Sequence, residues 1–441
     1  MSEIVLITIG MFLLLFVGLA WGLDICFLFG AIAVLFTIFL WGPHALGAIT
    51  ATIFDWSTMY SMVCIPLFVF MAFVLAGAGI GDALYGTMHR WMGRLRGGLG
   101  IGTVGICTIF AAMSGGAMTA CATMGIVALP AMLKRGYDKT IAMGGIMAGA
   151  ALGALIPPSI IMVIYALFAE ESIGALFIGG IIPGLILSVM FMTYIAIRCA
   201  LNPSLGPALP PGDAGSWREK IVSLKSVILP ILLVVAILGS IFLGIATPTE
   251  AASVGALGAI ISAAINRRLN WQIIKDACIR TFLIYATVTW IVFGASVFSM
   301  VYQALGATDL IAQIITGLEV NRWVILVIMQ ITWFLLGFVI VNVAILMLTL
   351  PVYLPIITAL GFNPLWFGLL FVINMEMALL TPPFGFTLFY MRAVVPEEIS
   401  MLDIYRSITP FVILQGVGLV IVMLFPQIIL WLPSLMIRPS G

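Results

Sequence analysis

The sequence predicts an all-α integral membrane protein made of two inverted-topology repeats. Each repeat carries a re-entrant helical hairpin and a broken transmembrane helix. Three observations predict this. Hydrophobic residues fill 63% of the 441 positions and charged residues 8%, a balance that no water-soluble domain shows. Short motifs recur at a common offset near 225 residues, the mark of an internal repeat. The basic residues gather on one side of a membrane only if each half crosses it an odd number of times.

The elements follow in order. Ile4 to Ala20 is apolar, lacks a basic segment before it and follows Glu3, so it is expected to be a retained helix rather than a signal peptide. Spans follow at 24–41 and 57–80, close to the roughly 20 residues a bilayer needs. The stretch 97–133 is too long for one crossing at about 1.5 Å per residue and too short for two plus a turn. Its centre, "MSGGAMT", suits a tight turn, so a hairpin that enters and leaves on one side fits best. The uncharged segment 141–168 holds Pro157 and Pro158 near its middle, and a last span covers 173–197.

The Pro- and Gly-rich stretch "CALNPSLGPALPPGDAGSWREK" (199–220) reads as a linker. Trp217 to Lys225 is expected to lie on the membrane surface. The first repeat is thus 1–198, the linker and interfacial segment 199–225, and the second repeat 226–441. The second half repeats the series at 226–245, 249–265, 281–304, a hairpin at 323–361 centred on "GFVIVN", a broken segment at 366–391, and 408–435. "LIPPS" at 155–159 answers "LTPPF" at 380–384, Pro130 answers Pro355, and "MSGG" answers "LGFVIVN".

Charge tests the arrangement. With both hairpins re-entrant, each half crosses five times and the second half is inverted. An outside N-terminus then places sixteen of the 18 Lys and Arg residues inside, leaving only Arg322 and Arg438 outside. Both termini are expected outside, with the first hairpin open to the cytoplasm and the second to the exterior. A net charge of +1 predicts no nucleic-acid or other polyanion partner. The six cysteines form no Cys-x-x-Cys, and His44 and His89 are the only histidines, which argues against a zinc or redox site. No Walker A loop is present, and no constellation for hydrolysis lies at membrane depth, so no enzyme activity is expected.

The broken helices carry the chemistry. Proline lacks an amide hydrogen and clashes with the preceding turn, so carbonyls from Gly153 to Ile156 lose their intrahelical donors. Unpaired carbonyls in hydrocarbon cost several kcal/mol each, so such a break needs protein, water or an ion around it. Freed carbonyls suit Na⁺, and the helix restarting at Pro158 offers its positive end to an anion. Gly149 and Gly153 keep this face thin, so a hairpin tip at Ser114, Gly115 and Gly116 can approach. In the second half Asn342 sits near the hairpin tip, and Asn374, Glu376 and Thr381 lie on the broken segment. Glu376 is ionisable and deep in a span; the sequence leaves it open between ligand and structural carboxyl. Asp24 and Glu250 read as helix caps.

"MSGGAMTACATMG", "GALIPPSI", "GIATPTEAA" and "NMEMALLTPPFG" resemble the large membrane subunit, the DctM-like M subunit, of tripartite ATP-independent periplasmic (TRAP) transporters. The resemblance covers nearly the whole chain. It implies a sodium-driven, elevator-type transporter of the bacterial inner membrane that takes up a small carboxylate. Its partners would be a small four-helix membrane subunit and a periplasmic substrate-binding protein. Two sodium sites are implied: Ser114, Gly149, Gly153 and Pro157 at the first, and Gly337, Ile340, Thr381 and Pro382 at the second. Substrate would lie near Ser114, Gly115, Pro158 and Asn342, with Asn374 and Glu376 as further candidates. The chain departs from many relatives in lacking an aspartate at Thr119 or Ala120 and in having Asn342 at the second tip, which leaves substrate class open. A stand-alone sodium–carboxylate symporter of related inverted-repeat fold is the alternative.

Overall fold

In the computed structural model the described residues are 2–92, 95–114, 116–208, 217–307, 320–382 and 385–437. Among these, all regular structure is helical, and seven helices are long and apolar enough to cross a membrane. This is a multi-pass membrane protein.

The first half opens with α1 (Ser2–Ala20), α2 (Ile25–Leu40), α3 (Leu46–Thr58), α4 (Cys64–Gly77) and α5 (Ile80–Met92). Asp24 caps α2 through the Cys26 amide, as its position before an apolar run leads one to expect. Next come α6 (Gly98–Ser114) and α7 (Ala117–Lys134), the two arms of the first hairpin. Gly97 turns the chain into this hairpin at φ 71°, a conformation open to glycine, and its amide donates to the Gly206 carbonyl at 2.8 Å. The broken helix is α8 (Lys139–Ala151), a 3₁₀ turn (Leu152–Ala154) and α9 (Ile160–Ala169); α10 (Ile173–Leu201) follows. The restart falls at Ile160, with Ser159 as N-cap, two residues beyond the expected Pro158. Both prolines stay in the connecting strand of the break, so neither has to sit on a helical turn that would want its amide.

The second half comprises α11 (Trp217–Phe242), α12 (Pro248–Ile265), α13 (Trp271–Ala304), α14 (Arg322–Leu336), α15 (Asn342–Ala359), α16 (Pro364–Leu379), α17 (Phe386–Val394), α18 (Met401–Leu424) and α19 (Gln427–Ser434). Thr247 and Glu250 form a reciprocal capping box on α12. The segment at Trp217 is the start of α11, which bends by 43° between Leu224 and Ile228. Helix α13 begins ten residues before the expected 281, at Trp271, because Asn270 caps it at the Ile273 amide. Adding 225 to the bounds of α7 gives 342–359, the bounds of α15, and adding it to Lys139 gives 364, where α16 starts.

Packing sorts the helices into two groups. Helices α2, α4, α11, α12 and α13 lie against one another. The hairpins, broken helices, α10 and α18 make the other group, in which α6, α7 and α18 pack on α8, and α14 and α15 on α16. Each restarted half-helix crosses to the other half: α9 packs against α15, and α17 against α7.

Small residues set the approach of hairpin to broken helix. A Cβ on Gly149 would stand 2.7 Å from the Cys107 Cβ, and one on Gly153 2.7 Å from the Ala111 Cβ. In the second half the order is reversed, because Gly337 ends α14 and faces Ala378 of α16. Residues one turn apart without side chains let two backbones meet in lipid, where dispersion and weak polar contacts drive helix association. The hairpin arms are tied by polar side chains as well. Trp333 Nε1 donates to Thr349 Oγ1 at 2.7 Å within the second hairpin. Thr108 of α6 and Ser188 of α10 share a hydroxyl bond at 3.1 Å.

Candidate functional site

A cavity of about 330 Å³ lies where both hairpins and both breaks converge. Gly116 to Thr119 come from the first tip and Val341 to Val343 from the second. Ala154, Ser159 and Ile160 come from the first break; Leu379 and Phe386 flank the second. Val69 and Phe73 of α4 and Ile284 and Val288 of α13 close the opposite wall. The cavity therefore spans the boundary between the two packing groups.

Four helices begin at this cavity: α7, α9, α15 and α17. Their N-caps are Gly116, Ser159, Val341 and Gly385, and none accepts a side-chain cap bond. Elsewhere Asp24, Asp138, Ser172, Thr247, Asn270, Asn321, Asn363 and Ser400 cap their helices with a side chain, while α3, α4 and α19 also start without one but away from this cavity. A helix start leaves four amide hydrogens unsatisfied and carries about half a positive charge. Four helix starts without a side-chain cap around one cavity are an arrangement that suits an anion. The polar side chains on its wall are Thr119, Ser159 and Asn342. Ser159 is 3% exposed, and its hydroxyl has no hydrogen-bond partner, so it is free for a ligand.

The second break gathers carbonyl oxygens. A Cβ on Gly385 would stand 2.8 Å from the Leu379 oxygen and 3.0 Å from the Thr381 oxygen. Two carbonyl oxygens thus lie beside one glycine, and the Thr381 oxygen also accepts from the Gly385 amide at 3.1 Å. The Thr381 hydroxyl donates to the Met377 carbonyl at 2.7 Å, which leaves its lone pairs outward. Thr381 and Pro382 are half-buried and Ile340 is buried. At the first break, Gly149, Gly153, Pro157 and Pro158 are all buried. The Ala111 carbonyl lies 3.0 Å from a Cβ position on Gly153, and the Leu155 carbonyl 2.4 Å from one on Gly180. Ser114 ends α6, which puts its backbone at the first tip; Gly115 lies outside the described residues.

Of the substrate candidates, Asn342 lines the cavity, and Pro158 adjoins the lining residue Ser159. Asn374 and Glu376 are not among the lining residues. Asn374 Nδ2 donates to both the carbonyl and the Oε1 of Gln330, each at 2.8 Å, tying α16 to α14. Glu376 is fully buried. Gln415 Nε2 of α18 donates to its Oε2 at 3.0 Å, the Leu155 backbone lies near its carboxyl group, and its Oε1 has no hydrogen-bond partner among the described residues. Among the described residues no cluster of His, Cys, Asp or Glu could hold a metal.

Sequence reasoning missed Ser159 as a site residue and missed the α4 and α13 wall. A serine directly after Pro-Pro and before an apolar run was a legible cap signal. The wall residues are apolar within apolar helices and gave no such signal.

The sequence pattern of the DctM component of tripartite ATP-independent periplasmic transporters matches residues 12–428. The chain belongs to the DctM family. It is 32% identical over 399 residues to the C4-dicarboxylate TRAP transporter large permease protein DctM of Pseudomonas aeruginosa, covering 90% of this chain and 92% of that one. It is 30% identical to the sialic acid TRAP transporter large permease protein SiaM of Vibrio cholerae, covering 85% and 87%. It also matches an isethionate permease, DctMQ, of Oleidesulfovibrio alaskensis at 29% identity, where it spans 64% of the longer relative. Among solved structures, the Alcanivorax borkumensis YdaH transporter shares the fold, with a TM-score of 0.66 at 14% identity over 90% of this chain and 95% of that one. This DctM-family chain is thus a TRAP transporter large permease.

Proposed function

We propose that this chain is the large permease subunit of a tripartite transporter that couples sodium entry to uptake of a small organic acid anion. Its substrate comes from a periplasmic binding protein, and a small four-helix membrane subunit braces the α2, α4, α11, α12 and α13 group. The protein sits in the bacterial inner membrane with both termini periplasmic. The observation that carries this reading is the meeting of four helix starts without a side-chain cap on one cavity. Substrates of relatives, C4-dicarboxylates and sialic acid among them, are acids of the kind such a site suits.

The substrate carboxylate takes the amides at the starts of α7, α9, α15 and α17, with Ser159, Asn342 and Thr119 selecting its other groups. Sodium is a co-substrate. One ion takes carbonyl oxygens at the first hairpin and break, around Ser114, Gly149, Gly153 and Pro157. The other takes those around Gly337, Ile340, Thr381 and Pro382, with Leu379 added by the geometry at Gly385. Occupied sites hold hairpin and broken helix together, so sodium favours the loaded arrangement. The hairpin and broken-helix group then moves as one body along the α4 and α13 wall, the elevator step. Glu376 and Asn374 hold this body together and do not touch substrate.

The test is reconstitution in liposomes. With the small subunit and the binding protein present, an inward sodium gradient drives uptake of labelled succinate, sialate or isethionate, and collapse of that gradient abolishes it. Equal uptake by the chain alone would instead establish a stand-alone symporter. Passive, non-saturable flux would overturn both.

A further inference from the structure

Residues of α13 line cavities at several points along the seam between the packing groups. Asp276, Arg280, Ile284 and Val288 follow at steps of four, and Ser299 and Gln303 continue toward the other end. Ile284 and Val288 wall the central cavity. A second cavity of about 300 Å³ lies at the end where Arg267, Arg268 and Lys275 cluster, and it shares Phe73 and Thr119 with the central one. Phe73 and Thr119 therefore stand between the two spaces.

Arg280 lines this second cavity, and its guanidinium carbon lies 5.8 Å from the centre of the Phe73 ring. It is the only cationic side chain among the described residues lining the seam's cavities. It makes no ion pair among the described residues. Asp276, one turn away, instead accepts from Gln272 Nε2 at 2.8 Å. The aromatic face fixes the guanidinium while leaving its forked N–H edge free, and a carboxylate is the partner that edge matches.

We propose that Arg280 is an exit-side anion station. It receives the substrate carboxylate as it passes between Phe73 and Thr119 toward the cytoplasm. Asp276 then competes for the same guanidinium and shortens the stay. This rests on the transport reading above for its direction and its cargo. The positive charge is absent from the central cavity and present one step along the path, so an anion held there by dipoles and sodium has a fixed charge to move to once sodium leaves.

The test uses the full-length chain in inside-out membrane vesicles, with the exposed Cys278 replaced in Cys278→Ser. Thr123→Cys places a thiol in the second cavity, since Thr123 lines it. Its reaction rates with an anionic sulfonatoethyl and a cationic trimethylammonioethyl methanethiosulfonate give a ratio that reports the local potential. Arg280→Gln is expected to lower the anionic-to-cationic ratio about tenfold, and Arg280→Lys to keep it. Succinate at millimolar concentration is expected to slow the anionic reagent in the Arg280 chain and not in Arg280→Gln. A ratio unmoved by Arg280→Gln would overturn the proposal. A Ser159→Cys thiol in the central cavity that neither face of the membrane can reach would count against the transport reading, and the ratio would still decide on Arg280.

Discussion

Gly337 and Ala378 touch so closely that a Cβ on the glycine would stand 2.4 Å from the alanine Cβ. The second hairpin and the second broken helix meet there without room for one more methyl. Gly337→Ala is expected to destabilise the chain by about 1–3 kcal/mol through overpacking. The double variant Gly337→Ala/Ala378→Gly restores the space and should recover most of that loss. Melting temperatures of the detergent-purified variants check it; additive losses in the double variant would show that the contact is not the cause.

Ser159 offers the opposite kind of substitution. Its buried hydroxyl has no internal partner, so Ser159→Ala removes no bond from the folded protein. Thermal stability should stay level or rise slightly. If the hydroxyl serves substrate, KM for uptake rises about three- to tenfold, the value of one hydrogen bond. Unchanged KM would remove Ser159 from the site.

At the second break, Gly385→Ala puts a methyl where the Leu379 and Thr381 oxygens converge. The sodium concentration for half-maximal uptake is expected to rise more than tenfold, with substrate binding to the periplasmic protein unaffected. Titrating uptake against sodium at fixed substrate measures this. An unaltered sodium curve would move the ion elsewhere.

Glu376 separates holding from binding. Glu376→Gln keeps the shape and can still accept from Gln415 Nε2, so sodium-driven uptake should stay within about twofold of the parent. Glu376→Ala leaves a cavity and strands Gln415, a loss of about 2–5 kcal/mol that thermal unfolding would register. Full loss of transport in Glu376→Gln with normal melting would return the carboxyl group to the transport chemistry.

Much of the fold was legible because membrane chains punctuate themselves with few residue types. The tips at "MSGG" and "GFVIVN" and the breaks at Pro157 and Pro382 fall where length and proline chemistry put them, and α7 and α15 share bounds at the repeat offset. What stayed hidden was relational. Val69, Phe73, Ile284 and Val288 wall a cavity, yet their neighbours on the same helices face outward and are equally apolar, as Phe282 at 70% exposure shows. Hydropathy does not distinguish a cavity wall from a lipid face. Nor does it mark Asn374 as the partner of Gln330, 44 residues away, or show that Glu376 faces Leu155 of the other half. The four helix starts were individually visible, but their convergence belongs to the tertiary arrangement.

The exchange of half-helices between the two halves bears on how the protein is made. Helix α9 leaves the ribosome well before residues 342–359, the α15 segment it packs on. During that interval the polar first break sits in the bilayer without its final seat, and α7 likewise waits for α17. Each restarted half-helix finds its partner only when the other half has been made, so a chain cut between Leu205 and Trp217 would yield two fragments that reach the native arrangement only when produced together.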